Sequence, residues 1–419
     1  MVYKEYKMGA YNLHTIKTDK FKLCHMEIIF RNNAVKEDVT IRNVLFDVLT
    51  ESNKTYPTRR DFLLRQEDLY NAFLYSATSK VGNGAITNIC LDFINPKYTD
   101  TKILQETLYL PFDMIFNPLA ENKEFDTKTL DLIKERLASE IKAVKENARK
   151  YAMISALKTL GEDTPSSYDN IGQLNALDEI TASSLYQYYE KILKHDYIDI
   201  YIIGDLDMDK VAEMINEYAD FKIIKNHQFE LYVKNEKRKP IVLYEKFLFV
   251  HTNIVLILAL NKLTTFEQKY VANLFNMILG GGSLETKLYK KLRNEHSLCY
   301  NVGSVYRKYD GLIVISTSVD INAKEKAIKL IKETIKEMSR QITDEELSAA
   351  KESMISALTM GMDNIGRIVD NYFFQNISDL DDYETRITEF KKVTIQDLER
   401  LSKKISISTI YALEGGEES

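Results

Sequence analysis

Two stretches far apart in this chain spell the same local pattern, and that repetition limits the possible folds more than any other feature. The segment Gly84 to Asn95 (GAITNICLDFIN) resembles Gly311 to Asn322 (GLIVISTSVDIN). Each opens on a glycine suited to a turn, continues as an apolar run of strand character, and leads into an amphipathic helix. The helix after the second copy is the clearer, with Ile328, Ile331, Ile335 and Met338 on one stripe. A second pair of helices extends the match. Asp126 to Val144 carries Leu130, Ile133, Leu137, Ile141 and Val144 on one face, and Thr343 to Leu358 opens with the capping box Thr343-Asp344-Glu345-Glu346. Lys134-Glu135 in the first parallels Lys351-Glu352 in the second. Each half closes on an isoleucine- and tyrosine-rich strand, Tyr197 to Ile203 and Ile405 to Leu413. The pattern predicts an α+β chain of two homologous halves of about 200 residues, 1–221 and 241–419. The polar stretch 222–240, with Lys234, Lys237, Arg238 and Lys239, is the expected linker.

Composition narrows the function classes. Of 419 residues, 45% are hydrophobic and 28% charged, as in ordinary globular proteins. A net charge of −6 lacks the basic footprint that phosphate backbones select, so no nucleic-acid partner is expected. The chain has no uncharged apolar run of about 18 residues and no leader-like start, so neither membrane insertion nor secretion is expected. Cys24, Cys90 and Cys299 are odd in number and show no C-x-x-C spacing, which suits reduced thiols in the cytoplasm. The histidines, at 14, 25, 195, 227, 251 and 296, never fall three or four apart, so no helical metal pair is predicted. His251, in a strand read as Phe247 to Leu258, is the one expected to be buried. Neither a G-x-S-x-G turn nor a local Cys-His arrangement is present to suggest independent nucleophilic hydrolysis.

Several motifs together carry a family resemblance. A helix over Asp38 to Thr50 buries Ile41, Val44, Leu45, Val48 and Leu49 and is followed by Thr55-Tyr56-Pro57-Thr58. In the second half, Asn273 to Leu279 runs into Gly280-Gly281-Gly282-Ser283, then Leu288 to Leu292, Arg293, and Ser297-Leu298-Cys299-Tyr300. This arrangement resembles the insulinase-like, or M16, metallopeptidase family over nearly the whole chain. The resemblance implies an insulinase-like/LuxS-metallohydrolase-like fold in which each half is a sheet covered on one face by helices. The chain is most similar to bacterial members associated with aminopentanol modification of elongation factor P, which are paired with a second insulinase-like chain.

The zinc site is where the chain departs from that pattern. Active relatives carry His-x-x-Glu-His on the first-half helix, where the two histidines share one face and the glutamate serves as general base on a metal-bound water. The matching residues are Asn43-Val44-Leu45-Phe46-Asp47. Asn43 is a poor zinc ligand, and Phe46 can neither take a proton nor keep a water beside it. The family's third ligand matches Glu140, left over without the other two. Asn43, Asp47 and Glu140 offer only an oxygen set of the kind that Mg²⁺ or Ca²⁺ accepts. The expectation is therefore no metal in this chain.

The second half keeps what the first has lost. Arg293 and Tyr300 match the residues that active relatives deliver from their second half to the zinc centre, the phenol to an oxyanion and the guanidinium to substrate oxygen. The plainer reading makes Arg293 a dipole partner at the end of a helix Leu284 to Leu292 and packs Tyr300 at a strand start. The triple glycine is either a backbone that approaches a peptide closely or a simple helix end. The resemblance thus implies a non-catalytic subunit of a heterodimeric peptidase. Its partner would be an insulinase-like chain that carries His-x-x-Glu-His and the zinc, with Arg293 and Tyr300 completing the active centre. Gly280, Gly281, Gly282 and Ser283 would handle a peptide substrate such as a precursor or leader. The alternative is a non-enzymatic scaffold or peptide-binding protein of the same fold.

Overall fold

The structure, a computed structural model, describes residues 1–100, 102–223, 228–233 and 239–416. Lys234, Lys237 and Arg238 of the expected linker, and His227, lie outside the described residues. Along the first half run β1 (Val2–Lys7), β2 (Asn12–Lys17), β3 (Leu23–Asn33), α1 (Asp38–Leu49), α2 (Arg59–Asp68), β4 (Phe73–Val81), β5 (Gly84–Ile94) and α3 (Ile103–Phe116). A minimal hairpin of β6 (Ala120–Glu121) and β7 (Glu124–Phe125) leads into α4 (Thr127–Glu146) and α5 (Ala148–Lys158). Then come α6 (Leu174–Glu179), α7 (Ala182–His195), β8 (Tyr197–Gly204) and α8 (Met208–Tyr218). The second half contains β9 (Ile241–Lys246), β10 (Thr252–Leu260), α9 (Ala272–Leu279), a single turn α10 (Lys287–Tyr289), β11 (Cys299–Arg307) and β12 (Leu312–Val319). It ends with α11 (Lys324–Glu337), α12 (Asp344–Gly361), α13 (Ile365–Ile377), α14 (Tyr383–Lys392), α15 (Ile395–Ser402) and β13 (Ile405–Glu414).

The repeat is visible as topology. One sheet is ordered β1-β2-β8-β3-β5-β4, and the other, read from its far edge, β9-β13-β10-β12-β11. The repeated segments β5 and β12 take the same place in each. The pairs β2/β8 and β9/β13 are parallel and every other neighbour in the two sheets is antiparallel, so the second sheet repeats the first without its outer strand β1. Helix ends follow local chemistry. At α12, Thr343 Oγ1 accepts from the Glu346 amide at 3.2 Å while Glu346 Oε2 accepts from the Thr343 amide at 3.1 Å, so both arms of the capping box are made.

Each sheet has a helix-facing apolar layer. In the first, Cys24, Met26, Ile28 and Phe30 of β3 and Ile198, Ile200 and Ile202 of β8 pack with α1, α3, α4 and α7 through Phe46, Phe112, Ile133 and Leu185. In the second, Ile254, Leu256 and Leu258 of β10 pack with Leu274, Phe275, Ile331 and Leu398. The alternation of a strand sends the intervening residues to the opposite face. On the second sheet that opposite face is also apolar and is covered: Val255, Ile257, Ala259, Val314, Tyr411 and Leu413 pack against Ala152, Ala156 and Leu157 of α5. Small alanines let this helix lie close to the strands, and the continuous burial of β10 follows from cover on both faces.

The two compact units are consequently not contiguous in sequence. One comprises Met1–Lys142, Asp169–Glu230 and Ile365–Asp370, and the other Ala143–Tyr168, Leu231–Asn364 and Asn371–Ser419. Among the described residues, no helix is long and apolar enough to cross a membrane.

Candidate functional site

On α1, the positions that would carry a zinc motif are engaged otherwise. The Asn43 amide donates to the carbonyls of Asn170 at 2.8 Å and Ile171 at 3.0 Å, fixing the loop before α6. Phe46 is fully buried, its ring edge-on to Phe30 with centroids 5.1 Å apart. Replacing that contact with a carboxylate and a water would forfeit burial of a large apolar side chain. Asp47 accepts a guanidinium: Arg136 of α4 lies 3.2 Å from it and 3.4 Å from Glu51, in the turn after α1. The cation held by these carboxylates is thus an arginine from the chain itself. Glu140 follows Arg136 by one turn and is exposed. Among the described residues, neither Asp47 nor Glu140 belongs to a group of three side chains close enough to share a metal. The set does not fit zinc, and no hydrolytic step runs through it.

The second unit brings its predicted residues together. The Arg293 guanidinium lies 4.8 Å from the centroid of the Tyr300 ring, a cation–π contact. The helical end expected at Leu292 is not there. After Thr286 caps the single turn α10, the chain widens into a π turn over Lys290–Glu295, so Arg293 sits inside the turn rather than after a helix. Nor is Tyr300 packed. It is 81% exposed, on the edge strand β11. The reason is a bulge: the register with β12 slips between Cys299 and Val302, which lets Tyr300 and Asn301 turn out of the ladder.

The glycine turn is built tightly on one side and openly on the other. A side chain at Gly280 would meet Ser304 and Leu288 within 3.0 Å, and one at Gly281 would meet Asn276 at 2.6 Å. The carbonyl of Gly280 accepts from the Ser304 amide at 2.9 Å, tying the turn to β11. Gly282 has φ +91 with open space around it. Gly280, Gly282 and Ser283 line a groove of about 770 Å³, whose other walls are Asn301 to Val305 of β11, Ser316 to Ser318 of β12 and the start of α5. Apolar side chains such as Met153, Val255, Leu284 and Val302 share that lining with the amides and hydroxyls of Asn147, Asn301, Ser304 and Thr317.

His251 is not buried. The strand read from Phe247 begins only at Thr252, because the chain bends over Phe247–His251, and the His251 side chain is 51% exposed. Among the described residues, the buried histidines are His14 and His25. His25 sits between two carboxylates, Nδ1 at 2.6 Å from Asp92 Oδ1 and Nε2 at 2.7 Å from Glu27 Oε1. Burial opposes its charge, yet the two bonds carry its pKa up to about 9. Beside it, burial and the Glu27 charge push the Cys90 thiol up. Sequence reasoning missed this cluster. The available signal was the strand-spaced pairs His25-x-Glu27 and Cys90-x-Asp92.

Comparison with known proteins agrees with this geometry. A model described as "Peptidase M16 inactive domain" matches residues 179–354. A Bacillus subtilis (strain 168) protein described as "Probable inactive metalloprotease YmfF" is 25% identical over 418 residues, covering 98% of this chain and 97% of the relative. Among solved structures, a conserved protein from Enterococcus faecalis V583 superposes with a TM-score of 0.92 at 22% identity, covering 100% of this chain and 99% of that one. A peptidase M16 inactive domain from Pseudomonas fluorescens gives 0.81 at 16% identity and covers 100% of both chains. The chain, whose α1 lacks the zinc motif, is thus similar over its length to inactive members of the M16 peptidase family and shares their fold.

Proposed function

We propose that this chain is the non-catalytic subunit of a two-chain zinc peptidase, pairing with an M16 chain that carries His-x-x-Glu-His and supplies the metal. The observation that carries the reading is the pairing of Arg293 with an 81% exposed Tyr300 on a bulged edge strand. An exposed phenol stacked by a guanidinium gains little for folding, but it is well placed to donate to a developing oxyanion on another molecule. The groove beside Gly280, Gly282 and Ser283 would take an extended segment, such as a precursor or leader peptide, along β11. M16 family members often work as paired subunits, which supports the arrangement. Free, buried Cys24, Cys90 and Cys299 support a reducing compartment such as the cytoplasm.

The test is a peptide-cleavage assay on this chain, on a His-x-x-Glu-His chain from the same organism, and on the two mixed, alongside co-elution. Activity is expected only in the mixture. Tyr300→Phe and Arg293→Ala should each lower its turnover by about 10²–10³-fold, as loss of an oxyanion donor does, without changing co-elution. Unchanged turnover in both variants would make the chain a scaffold or peptide-binding protein of this fold. Cleavage by this chain alone would defeat the proposal.

A further inference from the structure

The first sheet carries donor atoms of a different kind from the lost catalytic set, on the face turned away from the helix layer. His25 and Glu27 are two residues apart on β3, so both point to that face, and Glu27 stands directly opposite Cys90 on β5. Asp92 stands opposite His25, and Tyr75 of β4 opposite Cys90. One donor atom from each of His25, Glu27 and Cys90 lies within 4.8 Å of the other two, and all three residues are buried. We propose that His25 Nε2, Glu27 Oε1 and Cys90 Sγ form a transition-metal site, zinc by its donor set, unrelated to the position of the family's catalytic metal.

Two features favour zinc over a purely ionic cluster. The first is donor chemistry: thiolate, imidazole and carboxylate together suit a borderline-soft dication and not Mg²⁺ or Ca²⁺. The second is the outer shell. Asp92 holds Nδ1 of His25 at 2.6 Å, the carboxylate–histidine relation that fixes the ring with Nε2 toward the metal. Asn88 donates to the second oxygen of Glu27 at 2.8 Å, which leaves Oε1 facing His25. Metal–ligand lengths of about 2.0–2.3 Å require donor separations of about 3.3–3.6 Å, so the 2.7 Å contact between His25 and Glu27 must open by less than about 1 Å. Water is the candidate for the fourth position.

The experiment is titration of the full-length chain with Zn²⁺ against a chromophoric chelator, and with Co²⁺ followed by absorption. One equivalent should bind, and Co²⁺ should give a near-ultraviolet thiolate charge-transfer band that Cys90→Ser abolishes and Cys299→Ser leaves intact. Asp92→Asn, at a position 34% exposed and outside the apolar layer, should keep the fold while weakening Zn²⁺ by about 10–100-fold. A wild-type chain without the band, a band that survives Cys90→Ser, or unchanged Zn²⁺ affinity in Asp92→Asn would overturn the assignment.

Discussion

On β3 the side chains turned away from the helix layer include His25, Glu27 and Arg31, whereas at the same place in the second sheet β10 presents Val255, Ile257 and Ala259. The difference continues outward. β8 contributes Asp199 and Tyr201 where β13 contributes Tyr411 and Leu413, and β5 contributes Cys90 and Asp92 where β12 contributes Leu312 and Val314. Strand order and helix-facing layer are shared, so one topology accepts either a network of ions and hydrogen bonds or a greasy seam under α5. The lesson is that the helix-facing layer specifies this fold, and the other face is free to diverge toward chemistry. Buried charge tolerates little damage, because removing one partner strands the other.

That contrast sets a scale for mutations. The largest effect should come from Arg31→Ala, which removes the guanidinium 2.7 Å from buried Asp199, at a cost on the order of 3–5 kcal/mol in urea unfolding. Replacing both with apolar residues, Arg31→Met with Asp199→Leu, should recover only part of that loss, because Asn12 at 2.9 Å and His14 at 3.5 Å also face Asp199. Full recovery would show that the Arg31 charge alone matters. Next is Ile257→Ala under α5, expected to cost about 2–4 kcal/mol through lost burial and a cavity. A value below about 1 kcal/mol would show that this seam is loosely packed.

Acid should discriminate the two faces as well. Burial disfavours the Asp199 carboxylate, but bonds from His14, Asn12 and Arg31 outweigh it and hold its pKa at about 2, against 3.8 ordinarily. The folded chain therefore binds this proton less readily than the unfolded chain. The resulting stability, on the order of 2 kcal/mol, is complete above about pH 4 and lost as pH falls toward 2. Unfolding curves across that window should show the loss in the wild type and a smaller one in Asp199→Asn. The smallest effect should be Tyr151→Phe. Its hydroxyl donates to Glu245 at 2.8 Å, but Tyr411 also donates to that carboxylate at 2.6 Å, so about 1 kcal/mol is expected from thermal melts.

Much of the architecture was legible. The stripe Ile328, Ile331, Ile335 marked α11, the capping box at Thr343 marked α12, and the likeness of Gly84 to Asn95 with Gly311 to Asn322 marked equivalent strands. These are local signals, and local propensity agrees with the final fold at each. That Asn43 and Phe46 make a poor zinc set was read from residue type, whereas the loop carbonyls that engage Asn43 and the Arg136 cation at Asp47 were not, because those partners lie on other elements. The His25 cluster went unseen because histidines were weighed at helical spacing. On a strand, ligands recur every second residue and the remaining donor comes from a neighbouring strand that one sequence cannot register. His251 was misplaced for a related reason: apolar Phe247 to Val250 reads as strand, while the backbone bends there before β10. That α5 seals the second sheet was equally hidden, since an alanine stripe does not say which surface it will meet.

The placement of residues 143–168 in one unit and 365–370 in the other bears on how this molecule is made. A ribosome that has finished the first half has already emitted the lid of a sheet not yet synthesised, so Ala152 and Ala156 must wait uncovered until β10, β12 and β13 emerge. Splitting the gene near codon 230 should therefore yield two fragments that each precipitate alone and regain solubility only when expressed side by side.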